Sequence, residues 1–159
     1  MPLDKIDLKI IKVLQLDGRI TNQKLADQVA LSPSACLERT KKLEKNGYIR
    51  GYHTDIAVEK IAPYSAVLVE ITLKNHRAED FQRFEKAIAD IPEVVECFAV
   101  GGGIDYVAKF IAQSIEHYQE MMDRLLESDI GVERYFSYFI TKQIKKTPYS
   151  VSSLFLNAE

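Results

Sequence analysis

Between residues 34 and 45 the chain carries Ser34, Glu38, Arg39, Lys41, Lys42 and Lys45, short polar and basic side chains recurring at intervals of three and four. On a helix, that spacing gathers them on one side. Ammonium and guanidinium groups in such an array can neutralise backbone phosphates, and a guanidinium can bridge two acceptors on a guanine edge. The matching chemistry is the binding of double-stranded DNA. A solvated helix face on an ordinary core would carry a similar run, so the elements that hold these residues decide between the two.

Those elements read as a helix-turn-helix. Thr21 is a good N-cap for a short helix that buries Leu25 and Val29, and Ala30-Leu31-Ser32 makes the turn. Ser32 caps the second helix and Pro33 occupies its first position, where a missing N–H costs nothing. Cys36, Thr40 and Leu43 then face the partner helix, leaving the polar and basic set on the free surface, and Asn46-Gly47 ends the helix. Upstream, Leu3, Ile6, Ile10 and Val13/Leu14 predict an amphipathic helix over 4–16, with Asp4 and Asp7 near its positive N-terminal end and Asp17-Gly18 stopping it. Downstream, Tyr48 to Ile56 is rich in aromatic and β-branched residues and predicts a strand or wing. Residues 1–56 are therefore expected to form a winged helix-turn-helix domain, followed by a hinge over 57–64 that loses periodicity and contains Pro63.

From Ser65 the pattern changes. Val67, Val69, Ile71 and Leu73 alternate as in a strand; Phe81, Phe84, Ile88 and Ile91 mark a helix; strands follow at 94–100 and 104–111, separated by Gly101-Gly102-Gly103. Ile115, Tyr118, Met122 and Leu125 mark a second helix, and Val132 to Ile144 a last strand. The order over 65–146 is βαββαβ, the ferredoxin-like arrangement of an antiparallel sheet with both helices on one face, so the fold class is α+β. The other face is poor in charge, and the last strand alone offers Tyr135, Phe136, Tyr138, Phe139 and Ile140 across its two sides. A second copy of the sheet is the simplest cover, which predicts a homodimer. The tail, 147–159, is polar and then apolar, suited either to packing on a neighbouring subunit or to a loose terminus.

With 159 residues and 47% hydrophobic content the chain can build two small cores. Its net charge of −2 divides unevenly: residues 1–62 hold 11 Lys/Arg against 8 Asp/Glu, a balance of +3, and residues 63–159 hold 10 against 15, a balance of −5. The basic half is the helix-turn-helix half, a small excess that agrees with DNA without establishing it. Cys36 and Cys97 stand alone, and His53, His76 and His117 are far apart in sequence, so no metal site is expected. Both thiols sit in apolar patterns that suit free cysteines in a reducing compartment. No Ser/His/Asp or Cys/His set, carboxylate pair or phosphate loop stands in an activating setting, so neither catalysis nor a cofactor is expected. The start, Met-Pro-Leu-Asp-Lys, has no signal-peptide character and no stretch is long and apolar enough for a membrane span, which predicts a cytoplasmic protein.

Several stretches, in order and at matching spacing, resemble the Lrp/AsnC family, the leucine- and asparagine-responsive regulators of bacteria and archaea. They are Leu3-Asp4-Lys5-Ile6-Asp7 with Ile10-Ile11; Asp17-Gly18-Arg19-Ile20-Thr21-Asn22; Leu31-Ser32-Pro33-Ser34-Ala35-Cys36-Leu37-Glu38-Arg39; Leu43-Glu44; and Gly47-Tyr48-Ile49-Arg50-Gly51-Tyr52. Pro92-Glu93-Val94 and Gly102 to Asp105-Tyr106 are similar to the family's effector-binding domain. The resemblance implies a transcription regulator whose C-terminal domain dimerises, assembles dimers into higher oligomers and binds a small effector, usually an amino acid. It implies that the second helix of the motif enters the major groove, with Ser34, Glu38, Arg39 and Lys42 near bases or phosphates and Lys41 and Lys45 near phosphates. Arg39 suits an intramolecular ion pair equally well. The implied effector site is the loop Gly101-Gly102-Gly103-Ile104-Asp105-Tyr106, where glycines admit a carboxylate to backbone N–H groups and Asp105 could receive an α-ammonium group; a tight hairpin would need similar glycines. Ser137 is a further candidate for lining that pocket. Two positions depart from the family pattern: Ala30, where glycine is common in the turn, and Gly103, where an acidic or polar residue is common. Two other functions compete, an architectural DNA-wrapping protein with little effector control and, remotely, an enzyme of amino-acid metabolism.

Overall fold

The computed structural model describes residues 2–147. They fall into two compact units, residues 2–56 with 145–147, and residues 57–144.

The first unit is built on three helices, α1 (Lys5–Leu16), α2 (Asn22–Val29) and α3 (Pro33–Lys45). Each start is capped by the residue that the sequence offers. Asp4 accepts from the N–H groups of Ile6 and Asp7 while Asp7 accepts from the N–H of Asp4, a reciprocal capping box; Thr21 and Ser32 accept from Lys24 and Ala35. The helices close on Ile10, Leu25, Ala26, Val29, Cys36 and Leu43, with Leu3, Ile6, Leu14, Leu31 and Ile49 packed around them. At about 1.5–3 kcal/mol for each large apolar side chain fully removed from water, this core is the main support of the unit. Ala30 ends α2 at φ 58°, ψ 49°, a left-handed conformation in which a Cβ is strained. No strand is formed over 48–56; these residues are bent or irregular without a ladder, and 50–56 are exposed. A strand needs a neighbour to take its N–H and C=O groups, and among the described residues no strand pairs with this one.

In the second unit a turn of 3₁₀-helix at Val58–Lys60 leads to β1 (Ser65–Leu73), α4 (Ala78–Ala89), β2 (Val94–Ala99), β3 (Tyr106–Ala112), α5 (Ile115–Glu127) and β4 (Val132–Phe139). The sheet is wholly antiparallel in the order β2-β3-β1-β4, the ferredoxin-like arrangement. The last strand stops at Phe139 rather than continuing to Ile144; the Ile140 N–H bond to the Ala66 carbonyl closes its pairing one residue from the start of β1. Alternation decides the two faces. Val67, Val69, Ile71 and Leu73 turn inward with Tyr106, Ala108, Phe110 and Ala112, beneath Phe84, Ile88, Tyr118, Met121, Met122 and Leu125 of the helices. Outward, Leu68 pairs with Tyr138, Glu70 with Phe136 and Val107 with Phe98. Phe98 is 57% and Phe136 53% exposed, so this face presents aromatic rings to solvent in the single chain.

Candidate DNA-binding helix and effector site

At about 100° per residue, Ser34, Glu38, Lys41 and Lys45 lie within about 50° of the line opposite Cys36, Thr40 and Leu43. All four are exposed. They form a ridge along α3 that starts within the first turn of its capped N-terminus, and Lys42 stands beside it. The geometry suits a helix laid in a groove, with ammonium groups on its outer side. The angle of α3 to α2 is steadied by the Asn22 side-chain N–H₂, which donates to the Pro33 carbonyl at 2.8 Å.

Arg39 is placed differently. It is only about 65° from the core-facing line, and it reaches α1 instead of the free surface. Its Nη1 donates to Asp4 Oδ2 at 2.6 Å and to Asp7 Oδ1 at 2.8 Å, and the Asp7 side chain is only 6% exposed. Of the two roles the sequence leaves open to Arg39, a base or phosphate contact and an intramolecular ion pair, the structure shows the ion pair. Both carboxylates of the capping box are spent on the same guanidinium, which clamps α3 to the start of α1. The Asp4 carboxyl is held below the usual carboxylate range, first by the Asp7 N–H and then by Arg39.

In the second unit, Gly101, Gly102 and Gly103 are exposed between β2 and β3, and an added Cβ at any of them would meet nothing within 4 Å. Gly102 has φ +147°, which a side chain would strain. The backbone here is open to a close approach. Asp105 is tied down: the Leu73 N–H donates to its Oδ2 at 2.8 Å, both its oxygens lie 3.1 Å from His76 Nε2, and its own N–H donates to the Ile71 carbonyl. Its carboxylate anchors the loop, with one oxygen still able to accept a further donor. His76 was not anticipated, since nothing in its neighbours marks it.

Tyr106 and Ser137 are not brought to the loop surface. Tyr106 is 2% exposed, packs on Phe84 with ring centroids 4.4 Å apart, and donates its hydroxyl to Glu85 Oε1 at 2.9 Å. Tyr106 is a core residue, because it shares the inward phase of Ala108 and Phe110. Burial first, and then the Glu85 carboxylate, push its phenol well above the usual tyrosine range. Ser137 lies on β4, with β1 between it and the strand that follows the loop. It hydrogen-bonds the Tyr118 hydroxyl on the inner side, at a separate cavity of about 460 Å³ between α5 and β4. Among the described residues no three His, Cys, Asp or Glu side chains gather as a metal site would require, and no helix is long and apolar enough to cross a membrane.

The chain is similar to known proteins over both units. Residues 3–50 match a winged helix-turn-helix DNA-binding model, and residues 66–150 match the Lrp/AsnC ligand binding domain. The transcriptional regulatory protein DoeX of Halomonas elongata is 49% identical, with 96% of each chain covered. The leucine-responsive regulatory protein of Haemophilus influenzae is 37% identical over 94% of this chain and 90% of its own. Among solved structures, a transcriptional regulator of Neisseria meningitidis in complex with L-Met superposes with a TM-score of 0.84 at 34% identity, covering 99% of both chains. An AsnC family regulator from Agrobacterium tumefaciens gives a TM-score of 0.87 at 29% identity, covering 96% of this chain and 99% of its own.

Proposed function

The chain belongs to the Lrp/AsnC family of DNA-binding transcriptional regulators, and from that premise we propose that it is a cytoplasmic, non-enzymatic regulator that reads DNA with the exposed ridge of α3 and answers to an amino acid. The observation that carries the reading is the ridge itself: Ser34, Glu38, Lys41 and Lys45 stand opposite the buried face of a doubly capped helix, with Lys42 beside them. Lys41, Lys42 and Lys45 face phosphates and supply sequence-independent affinity; Ser34 and Glu38 stand nearest base edges. Arg39 acts indirectly, by holding α3 against α1.

The open glycine loop takes the effector's carboxylate on backbone N–H groups, and Asp105 shapes the loop from below. That Neisseria relative, solved with L-Met, supports an amino acid as the effector class. The outward rings of Phe98, Phe136 and Tyr138 are covered by a second copy of the sheet, so the working unit is a homodimer that assembles further.

Fluorescence anisotropy with the DNA upstream of the protein's own gene, against unrelated DNA and with each common amino acid in turn, tests this reading. We expect preference for the upstream DNA and a shift with one or a few amino acids. Specific binding that no amino acid alters would favour an architectural DNA-wrapping role, and equal binding to both DNAs would remove the sequence-reading role of the ridge.

A further inference from the structure

The cavity between α5 and β4 has a lining of unusual chemistry. Tyr118, Tyr135 and Phe139 contribute aromatic rings, Met122 a thioether, Ser137 a hydroxyl and Asp123 a carboxylate; Gln119 is neutral, and among the described residues no Lys, Arg or His lines the space. Tyr118 and Phe139 meet edge to face at 5.5 Å and 79°, which forms an aromatic corner. At the same place the Tyr118 and Ser137 hydroxyls bond one another, an arrangement that uses one proton and leaves oxygen lone pairs and one O–H unspent. At about 460 Å³ the space lies within the range of small-ligand sites.

We propose that this cavity binds a ligand with a cationic nitrogen, an amino acid bearing a second amine or a guanidinium group, seated between Asp123 and the aromatic rings. An ammonium group brings three donors, and the lining can answer them with the Asp123 carboxylate, the lone pairs of the hydroxyl pair and the face of a ring. A ligand whose side chain ends in a carboxylate would meet Asp123 with no cation to separate them, whereas the α-carboxylate of a lysine or arginine remains in water at the open mouth of the site, where Asp123 is exposed. A purely apolar ligand would strip water from Asp123 and the hydroxyls and return nothing. The proposal rests on the reading of this domain as an effector-binding module and goes beyond it by adding a site apart from the glycine loop and naming the charge of its ligand.

The test is isothermal titration calorimetry of the full chain with L-lysine and L-arginine, compared with L-norleucine and L-citrulline, near-isosteres that lack the charge. The cationic pair is expected to bind at least about tenfold more tightly than the neutral pair. Asp123→Asn should cost about tenfold in lysine affinity with norleucine unmoved, and Phe139→Leu about threefold. Asp123 is exposed and outside the hydrophobic core, so the first variant is expected to retain the wild-type far-UV circular dichroism. Neutral probes binding as tightly as cationic ones, or lysine binding indifferent to both substitutions, would overturn the proposal and leave amino-acid sensing intact. If none of the four binds while DNA affinity responds to another amino acid, the proposal falls and the sensor reading stands. If no amino acid acts in either assay, both fall.

Discussion

At the scale of single residues, the same charge means different things on different sides of α3. Arg39 and Lys45 are both basic and both on the helix, yet Arg39 is held by two carboxylates and Lys45 stands opposite the core. Two predictions separate them. Lys45→Ala is expected to lower DNA affinity about equally on upstream and unrelated DNA and to reduce the slope of log K against log salt by about 1, read from titrations at several ionic strengths. Asp7→Ala removes one arm of the capping box and an inward acceptor for Arg39; we expect a loss of about 2 kcal/mol in chemical denaturation, with Arg39→Met destabilising in the same direction. The clamp also carries a pH signature. Asp4 titrates below its ordinary value of 3.8 in the folded state, so between the lowered and the ordinary value the unfolded chain holds more protons. The stability it contributes is present above the ordinary value and lost as pH falls through the lowered one. Stepped-pH denaturation should show that loss in the wild type and a shallower one in Arg39→Met. The place of Arg39 was open in the sequence, because a lone guanidinium suits phosphate or carboxylate alike and the Asp4–Asp7 pair becomes its neighbour only when α1 packs on α3.

At the scale of elements, what could be read directly was whatever repeats locally. Ser32-Pro33 and Thr21 announce helix starts, and the period of two in Val67 to Leu73 and Tyr106 to Ala112 announces strands. The resemblance assigns Tyr106 to the effector loop, but in the structure it shares the inward phase of Ala108 and Phe110 on β3, and packing on Phe84 keeps it in the core. Ser137 could not be placed from local pattern, because its partner Tyr118 lies 19 residues away on another element. The segment 48–56 has the composition of a strand and lacks one, because composition does not supply a neighbour. The α2–α3 turn yields the clearest test at this scale. Ala30 sits at φ 58°, where a Cβ costs on the order of 1 kcal/mol. Ala30→Gly is expected to raise the stability of the helix-turn-helix unit by up to about that amount, partly offset by the unfolded chain's greater freedom. Differential scanning calorimetry would read it, with DNA affinity unchanged because the ridge on α3 is untouched.

At the scale of the whole molecule, the controlling fact is that the sheet has two apolar faces and only one pair of helices. The helices α4 and α5 cover Val67, Val69, Ile71 and their neighbours, and the opposite face keeps Leu68, Phe98, Phe136 and Tyr138 in solvent. These outward residues are not scattered singly. Leu68 and Tyr138 are cross-strand partners, Phe136 lies two residues along β4, and Tyr138 donates its hydroxyl to Glu70 Oε2 at 3.2 Å beside them. A monomer would leave this patch wet, whereas an isologous contact buries it twice at once, and each large ring removed from water returns about 1.5–3 kcal/mol. Placing a charge at its centre sets that gain against the desolvation of a carboxylate on both partners. Phe136→Glu is therefore expected to lower the mass measured by sedimentation velocity to that of one chain, 18.1 kDa, with far-UV circular dichroism retained because Phe136 contributes nothing to the inner core. Two half-sites are then no longer bound as one, so DNA affinity should fall as well, and by more than the loss of a single phosphate contact. An unchanged mass for Phe136→Glu would mean that the assembly is held elsewhere and that the outward rings serve another partner.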